Sequence, residues 1–335
     1  MGYQGALRPV DPRLIPANEL SGGEQPLECP PVATLVTGVG YIGAALVRRL
    51  QADGERVVGL DNFASTGRAA IPSDMDVLEG DVAEPADVAR ALDRLAGDEP
   101  LTVFHLAAQP SAAVALKDPA TTERSNLVGA RVVLEAARER GARVVFGGSF
   151  RVYGDDLAGR CVDEDTPYGR VGDLSHLSKV YVEQLGRMLG GAFCSVRLGV
   201  VYGLAPVMKS ADPAYMTVPN LFCQRAVHDE PLQVIEDRAL AFIHVEDAVQ
   251  ALLAAGALAG PGWQVVNAAP EVATIGDVAR TVQDIARQRG RQVRVQGAAT
   301  TAPGQRFEVR SRLPLQPRHT LREGLGEVFE AFGRA

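Results

Sequence analysis

The sequence predicts an α/β fold, a doubly wound parallel sheet followed by a smaller mixed α/β C-terminal lobe. Three observations carry this. Short apolar runs alternate with helical-period segments from residue 32 to about residue 204. The runs are continuous rather than alternating apolar and polar, as strands buried on both faces require. A glycine-rich turn, with Gly38, Gly40 and Gly43, joins the first run to the first helix.

Taken in order, residues 1–31 are rich in Pro, Gly and polar residues and show no sustained period. They read as an extension. "VATLVTG" is a buried strand, and "GAALVRRLQADG" is a helix stopped by Gly54. "RVVGLD" is the second strand and "DVLEGDV" holds the third. "ADVARALDRLAG" is a helix, "LTVFHLAA" the fourth strand, "TTERSNLVGARVVLEAARERG" one long helix and "RVVFGGS" the fifth strand. A helix begins near Ser175, and "AFCSVRLGVVYG" reads as one further strand. Beyond residue 204 the alternation weakens. "PLQVI", "AFIHV" and "WQVVNAA" read as short strands, set among three amphipathic helices. The expected division is therefore 1–31 extension, 32–204 dinucleotide-binding domain and 205–335 substrate lobe, with an interleaved boundary.

The totals exclude several classes. The chain has 335 residues, of which 46% are hydrophobic and 22% charged, with a net charge of −7. It lacks the basic runs that bind nucleic acid or anionic membranes. No apolar stretch approaches the roughly 18 residues of a membrane span. The opening residues lack a secretory signal pattern, and Ala6 breaks the myristoylation pattern. A cytoplasmic protein with a small-molecule substrate is expected. Cys29, Cys161, Cys194 and Cys223 form no C-x-x-C pair and show no zinc-ligand spacing, so they read as reduced thiols and no metal site is expected. Lys117, Lys179 and Lys209 are the only lysines, which adds weight to a lysine found in a motif.

Gly38, Gly40 and Gly43 have G-x-G-x-x-G spacing. Gly38 allows a tight turn, and Gly40 lets the backbone of Tyr41 and Ile42 approach a pyrophosphate. Gly43 lets the helix pack close to the sheet with its positive end facing the phosphates. Asp61 closes the second strand eighteen residues beyond Gly43, followed by Asn62. A carboxylate there accepts ribose hydroxyls and repels a 2′-phosphate, which favours NAD over NADP. Asp81 and Val82 close the third strand beside the adenine. Leu106, Ala107 and Ala108 close the fourth, where a dinucleotide passes.

At this point the chain resembles the extended short-chain dehydrogenase/reductases, the NAD-dependent epimerase/dehydratase group. The matching pieces are "TGVGYIG", "GLDNF", "EGDV", "HLAA", "NLVGARVVLEAA", "VVFGGSFRVYG", "SKVYVEQL", "RLGVVYG", "FIHVEDAVQALL" and "TLREGL". They run in order over roughly residues 34–326. The resemblance implies a Rossmann-like domain, bound NAD, and a homodimer built on helices near 120–139 and 175–190. It also implies a catalytic Ser, Tyr and Lys: the tyrosinate takes a hydroxyl proton, the ammonium lowers the tyrosine's pKa, and the serine orients the substrate oxygen.

Ser149 and Lys179 match two of these, but Ser175 stands where the tyrosine would be. A serine alkoxide is far harder to form than a phenolate. Tyr153, in "VYG", is the candidate surviving phenol. Tyr168 reaches the site only if its loop folds back. His176 lies about 100° around the helix from Ser175 and reads as a surface or dimer-face residue. The glycine motif is one residue shorter than the family's. Val200 and Leu240 replace an Asn and an Arg that hold a diphosphate in many relatives, although Arg238 is near. Lys209 sits on a loop that reads as a lid. Three readings stay open: an NAD-dependent epimerase, dehydratase or reductase on a hydroxylated or keto compound; a non-redox lyase, isomerase or cyclase on the same fold; and a non-catalytic NAD-binding protein.

Overall fold

Ala33–Thr37 buries all five of its residues, as a strand covered by helices on both faces must. The structure is a computed structural model that describes residues 32–208, 216–297 and 306–334. All of these fall in one compact unit, Pro31–Ala335. The extension over 1–31 with Cys29, and the loop residue Lys209, lie outside the described residues.

The first half runs β1 (Ala33–Thr37), α1 (Tyr41–Ala52), β2 (Arg56–Asp61), β3 (Val77–Glu79), α2 (Pro85–Asp93), β4 (Leu101–His105), α3 (Ala112–Lys117), α4 (Pro119–Glu123), α5 (Gly129–Glu139) and β5 (Arg143–Ser149). Then follow β6 (Cys161–Val162), α6 (Leu174–Leu189), β7 (Ala192–Leu198), β8 (Val200–Tyr202), α7 (Val218–Val227), β9 (Leu232–Val234), β10 (Ala239–His244) and α8 (Val245–Leu258). The chain ends with β11 (Gly262–Ala268), β12 (Glu271–Thr274), α9 (Ile275–Gln288), β13 (Val295–Gly297), β14 (Glu308–Val309) and α10 (Leu321–Arg334).

Seven strands form one parallel sheet in the order β11-β7-β5-β4-β1-β2-β3. The chain reverses its direction of travel between β1 and β4, which opens a crevice at the strands' carboxyl ends. One face is covered by α1 and α8, whose Leu46, Val47, Leu252 and Ala255 share a core. The other is covered by α2, α5 and α6 through Leu92, Val133 and Val182. A third core joins α7, α9 and α10 through Phe222, Val282 and Phe329. No described helix is long and apolar enough to cross a membrane.

Three elements differ from the sequence reading. The run 192–203 breaks at Gly199 into β7, in the main sheet, and β8, in a small sheet ordered β12-β10-β8. A Cβ on Gly199 would lie 2.7 Å from the Ala241 carbonyl oxygen, so only glycine lets the chain change sheets there. The "WQVVNAA" run, grouped with the smaller lobe, is β11 at the edge of the main sheet, because it pairs with β7 along its whole length. The long helix over 121–141 is interrupted by a π-helical turn at Arg124–Val128. That turn directs Asn126 inward, where its amide bonds both backbone groups of Gln109 and the Ser178 hydroxyl.

A buried charged network ties α6, β7 and β11 to the turn after β5. Glu183 is fully buried and pairs with Arg197 at 2.7 Å. The Ser195 hydroxyl donates to Glu183 at 2.8 Å, and so does the Tyr168 hydroxyl. Arg197 also donates to the Tyr153 hydroxyl at 2.6 Å, which in turn donates to Asn267 at 2.8 Å. Removing one partner strands the other charge in the core. Glu183→Ala is therefore expected to lose about 3–5 kcal/mol, read as a lower urea midpoint with an unchanged slope.

Candidate active site

The first turn of α1 has no side-chain cap, so its backbone N–H groups are available to an anion. The approach to it is shaped by glycine. Gly38 has φ +80°, and a Cβ there would lie 2.5 Å from the Ala107 nitrogen. A Cβ on Gly43 would lie 1.9 Å from the Gly38 carbonyl oxygen. At Gly40 a Cβ would meet nothing within 4 Å, so open space lies over the loop. The Tyr41 side chain is turned away, its hydroxyl donating to the Gly203 carbonyl at 2.7 Å. Tyr41 and the half-buried Ile42 thus offer backbone rather than side-chain contacts here.

Asp61 braces this loop. One carboxylate oxygen accepts the Val39 N–H at 2.7 Å and the other the Phe63 N–H at 2.6 Å. Burial raises its pKa, against these two hydrogen bonds. Each oxygen keeps a lone pair for a further donor. Asn62 is exposed and accepts the Ala64 N–H. Asp81 accepts the Ala83 N–H and pairs with Arg124 at 3.1 Å, and Val82 is buried. Leu106 extends β4 by bonding the Thr37 carbonyl, and Ala107 closes on Gly38. Ala108 follows, half-buried. An uncapped helix start, a space cleared by Gly40 and a carboxylate at the end of β2 fit an adenine dinucleotide.

Ser149 ends β5, its hydroxyl accepting the Arg151 N–H at 3.3 Å. On α6, Lys179 Nζ donates to the Gly147 carbonyl at 2.8 Å and lies 4.8 Å from the Phe146 ring centre. Burial pushes its pKa down to about 8. Nearby His105 bonds Thr37 at 2.8 Å, and burial, with Lys179's charge beside it, pushes its pKa down to about 3.

The remaining candidates are engaged elsewhere. The Ser175 hydroxyl donates to the Pro110 carbonyl at 3.2 Å. Tyr153, read as the surviving phenol, is 2% exposed. Its hydroxyl is locked between Arg197 and Asn267, and burial pushes its pKa up to about 12. That setting does not suit a proton shuttle. Tyr168 is held by Glu183 and Gln184. His176, read as a surface residue, is buried because its ring turns back to Asp173, the residue that caps α6, at 2.7 Å.

A cleft opens beside Ser149 and is lined by Arg151, Asp155, Val200, Leu240 and Phe307. Arg151 carried no motif and went unread in the sequence. Its Nε is buried without a hydrogen-bond partner. Its nearest ion-pair partner, Asp155, is 3.8 Å away and is itself bridged to Arg238 at 2.6 Å.

The sequence profile of the NAD dependent epimerase/dehydratase family matches residues 34–269. The chain belongs to this family, and its cofactor is NAD. It is 35% identical over 247 residues to UDP-glucose 4-epimerase of Mycolicibacterium smegmatis, covering 68% of this chain and 74% of that protein. It is 28% identical to UDP-glucuronic acid decarboxylase 4 of Arabidopsis thaliana, covering 74% of this chain but 55% of the plant protein. The chain thus spans little more than half the length of that relative. The structure of UDP-glucose 4-epimerase of Thermus thermophilus with NAD superposes with a TM-score of 0.73 at 26% identity, covering 90% of this chain and 98% of that one. The Thermotoga maritima UDP-glucose 4-epimerase with UDP-glucose gives 0.76 at 22% identity, covering 90% and 99%.

The glycines make separable demands. Gly40→Ala is expected to fold with near-native stability yet bind NAD more weakly, because its methyl enters the open space. Gly43→Ala is expected to lower the melting temperature, because its methyl collides with backbone. Thermal melts alongside NAD calorimetry distinguish the two.

Proposed function

We propose that the chain is an NAD-dependent epimerase, dehydratase or reductase acting on a hydroxylated or keto, sugar-derived small molecule. The observation that carries this is the continuity of the site. The glycine crevice at β1 and β4 runs toward Ser149 and Lys179 at the end of β5 and on α6. NAD, when bound, supplies reversible oxidation at a hydroxyl-bearing carbon. The Ser149 hydroxyl orients the substrate oxygen, and the Lys179 ammonium holds the nicotinamide ribose. With Ser175 bonded to Pro110, a proton leaves through water rather than through a phenol.

Arg151 bears on the substrate class. A guanidinium with a buried, unpartnered Nε, in a cleft whose own carboxylate, Asp155, is bridged to Arg238, suits one acidic group. The relatives include proteins that act on UDP-glucuronic acid by name. We therefore favour a substrate carrying a carboxylate. The proposed homodimer rests on Val128 and Leu177, apolar residues left exposed beside α5 and on α6. The free thiols of Cys161, Cys194 and Cys223 accord with a reducing, cytoplasmic setting.

One observation favours the second reading, non-redox chemistry on the same fold: both nearby phenols, Tyr153 and Tyr168, are bonded into the Glu183–Arg197 network. Turnover of UDP-glucuronate and UDP-glucose, followed with and without NAD stripped from the protein, separates the two. The redox reading expects turnover to vanish without NAD, to favour the acid, and to lose that preference in Arg151→Ala. Ser175→Tyr is expected to raise the redox rate by about 10²-fold, the low end for a positioned acid–base group. Turnover indifferent to NAD defeats the redox reading.

Lys179 sets the pH dependence. It is ammonium below its pKa of about 8 and neutral above it. Ribose holding by the charged form is therefore largely present at pH 7, complete at lower pH, and lost as pH rises through about 8. A pH–rate profile is expected to fall on its alkaline side with a midpoint there, and Lys179→Met to abolish that limb along with most of the activity.

A further inference from the structure

Two imidazole nitrogens lack hydrogen-bond partners, and they belong to rings that touch. His244, the last residue of β10, is 2% exposed, and its Nε2 is buried with no hydrogen bond. Its Nδ1 accepts the Glu246 N–H at 3.4 Å. His319, just before α10, stacks on it with ring centres 3.9 Å apart and planes 29° apart. His319 Nδ1 is likewise unpartnered. It lies 3.5 Å from Asp247 Oδ2.

Asp247 is 1% exposed, and its two oxygens accept the Arg318 N–H at 2.9 Å and the His319 N–H at 3.2 Å. Each oxygen retains a lone pair. The ligand atoms of His244, Asp247 and His319 all lie within 4.8 Å of one another. Two more carboxylates face the pair. Glu246 lies 3.5 Å from His319 Nε2, and Glu327 lies 4.0 Å from His244 Nε2. Glycine keeps side chains off the ring: a Cβ on Gly203 would lie 2.3 Å from Nε2, and one on Gly324 would lie 2.9 Å from Cδ2.

We infer that His244, Asp247 and His319 bind a divalent first-row transition-metal ion such as zinc, with Glu327 closing the set. Buried polar atoms ordinarily have partners, and a single ion satisfies both orphaned nitrogens at once. Two imidazoles and a carboxylate are the donor set such ions take. The ligand must be neutral imidazole, and the His244 ring is held out of water at 2% exposure. Metal–nitrogen bonds of about 2.0–2.1 Å require the ligand atoms to draw together. Nitrogens sharing an ion also point at it in the plane of their rings. His319, 17% exposed, is the ring free to swing out of the stack. None of the three residues lines the cleft beside Ser149. The ion would therefore fasten the segment leading into α10 against the β10–α8 corner rather than take part in the reaction. The three ligands are spread over 75 residues of chain, which is why no spacing motif announced them.

The test is titration of the full-length, chelator-treated protein with Co²⁺, whose ligand-field absorption reports coordination by nitrogen and oxygen. One equivalent is expected to saturate a visible band, Zn²⁺ is expected to displace it, and Zn²⁺ is expected to raise the melting temperature. His319→Ala, at a partly exposed ring, is expected to lose both the band and the stabilisation while keeping NAD binding. His319→Cys, which offers a thiolate, is expected to restore a band at changed wavelength. A wild-type protein that gives no band, or a His319→Ala protein that gives the same band, overturns the assignment.

Discussion

The contact on which the rest depends is the closure of Gly38 onto Ala107 at the carboxyl ends of β1 and β4. No side chain fits between them, and Gly43 seals the same corner against the Gly38 carbonyl. This places the start of α1 directly over the switch point of the sheet, where the crevice opens. Asp61 then holds the loop through the Val39 N–H. The groups that matter to a pyrophosphate are backbone groups, and the helix start here is left uncapped by side chains.

The positions of Tyr153 and Tyr168 are set by electrostatics. Glu183 and Arg197 lie together in the core, and an ion pair there is tolerated only when its remaining valences are filled. Ser195, Tyr168 and Tyr153 fill them. A tyrosine hydroxyl that donates to a carboxylate or accepts from a guanidinium is fixed in place, and burial raises the pKa of both phenols, for Tyr153 against the pull of Arg197. The same network that holds α6 at the right distance from β7 therefore withdraws the phenols that stood nearest in sequence to the reaction. What remains facing the site is the pair whose hydrogen bonds are local: Ser149 with its own turn, and Lys179 with Gly147.

Much of this was legible in the sequence, because strands buried on both faces leave unbroken apolar runs and glycine turns leave fixed spacings. The order of β1 to β5, the turn at Gly38–Gly43 and the placement of Asp61 came from such local signals, and Ser149 and Lys179 from the resemblance to the family. What was not legible depended on partners far along the chain. The break at Gly199 is set by the Ala241 carbonyl, and the return of β11 to the main sheet by its pairing with β7. Val82 and Gly129 meet across the sheet's helical face, and no periodicity encodes that contact. His176 looked exposed from its helical angle alone, but the cap residue Asp173 captured its ring. Arg151 drew no notice because an arginine is meaningful only once its surroundings are known to lack a counter-ion at close range.

The two halves of the site rest on different structural supports. The dinucleotide half is built from backbone at β1, β2 and β4, where Gly38 and Gly43 are fixed by collisions that a methyl group would cause. The proposed substrate half is built from side chains that line the cleft: Arg151 after β5, Val200 on β8 and Leu240 on β10. Side chains there project into a cleft and can be exchanged without disturbing the sheet. β8 and β10 also belong to a separate small sheet, so their facing residues change without touching the crevice. A protein built this way keeps its cofactor while its substrate changes, because the constraints on the two are mechanically distinct. Val200 and Leu240 lie in the exchangeable half, and the glycines and Asp61 lie in the other.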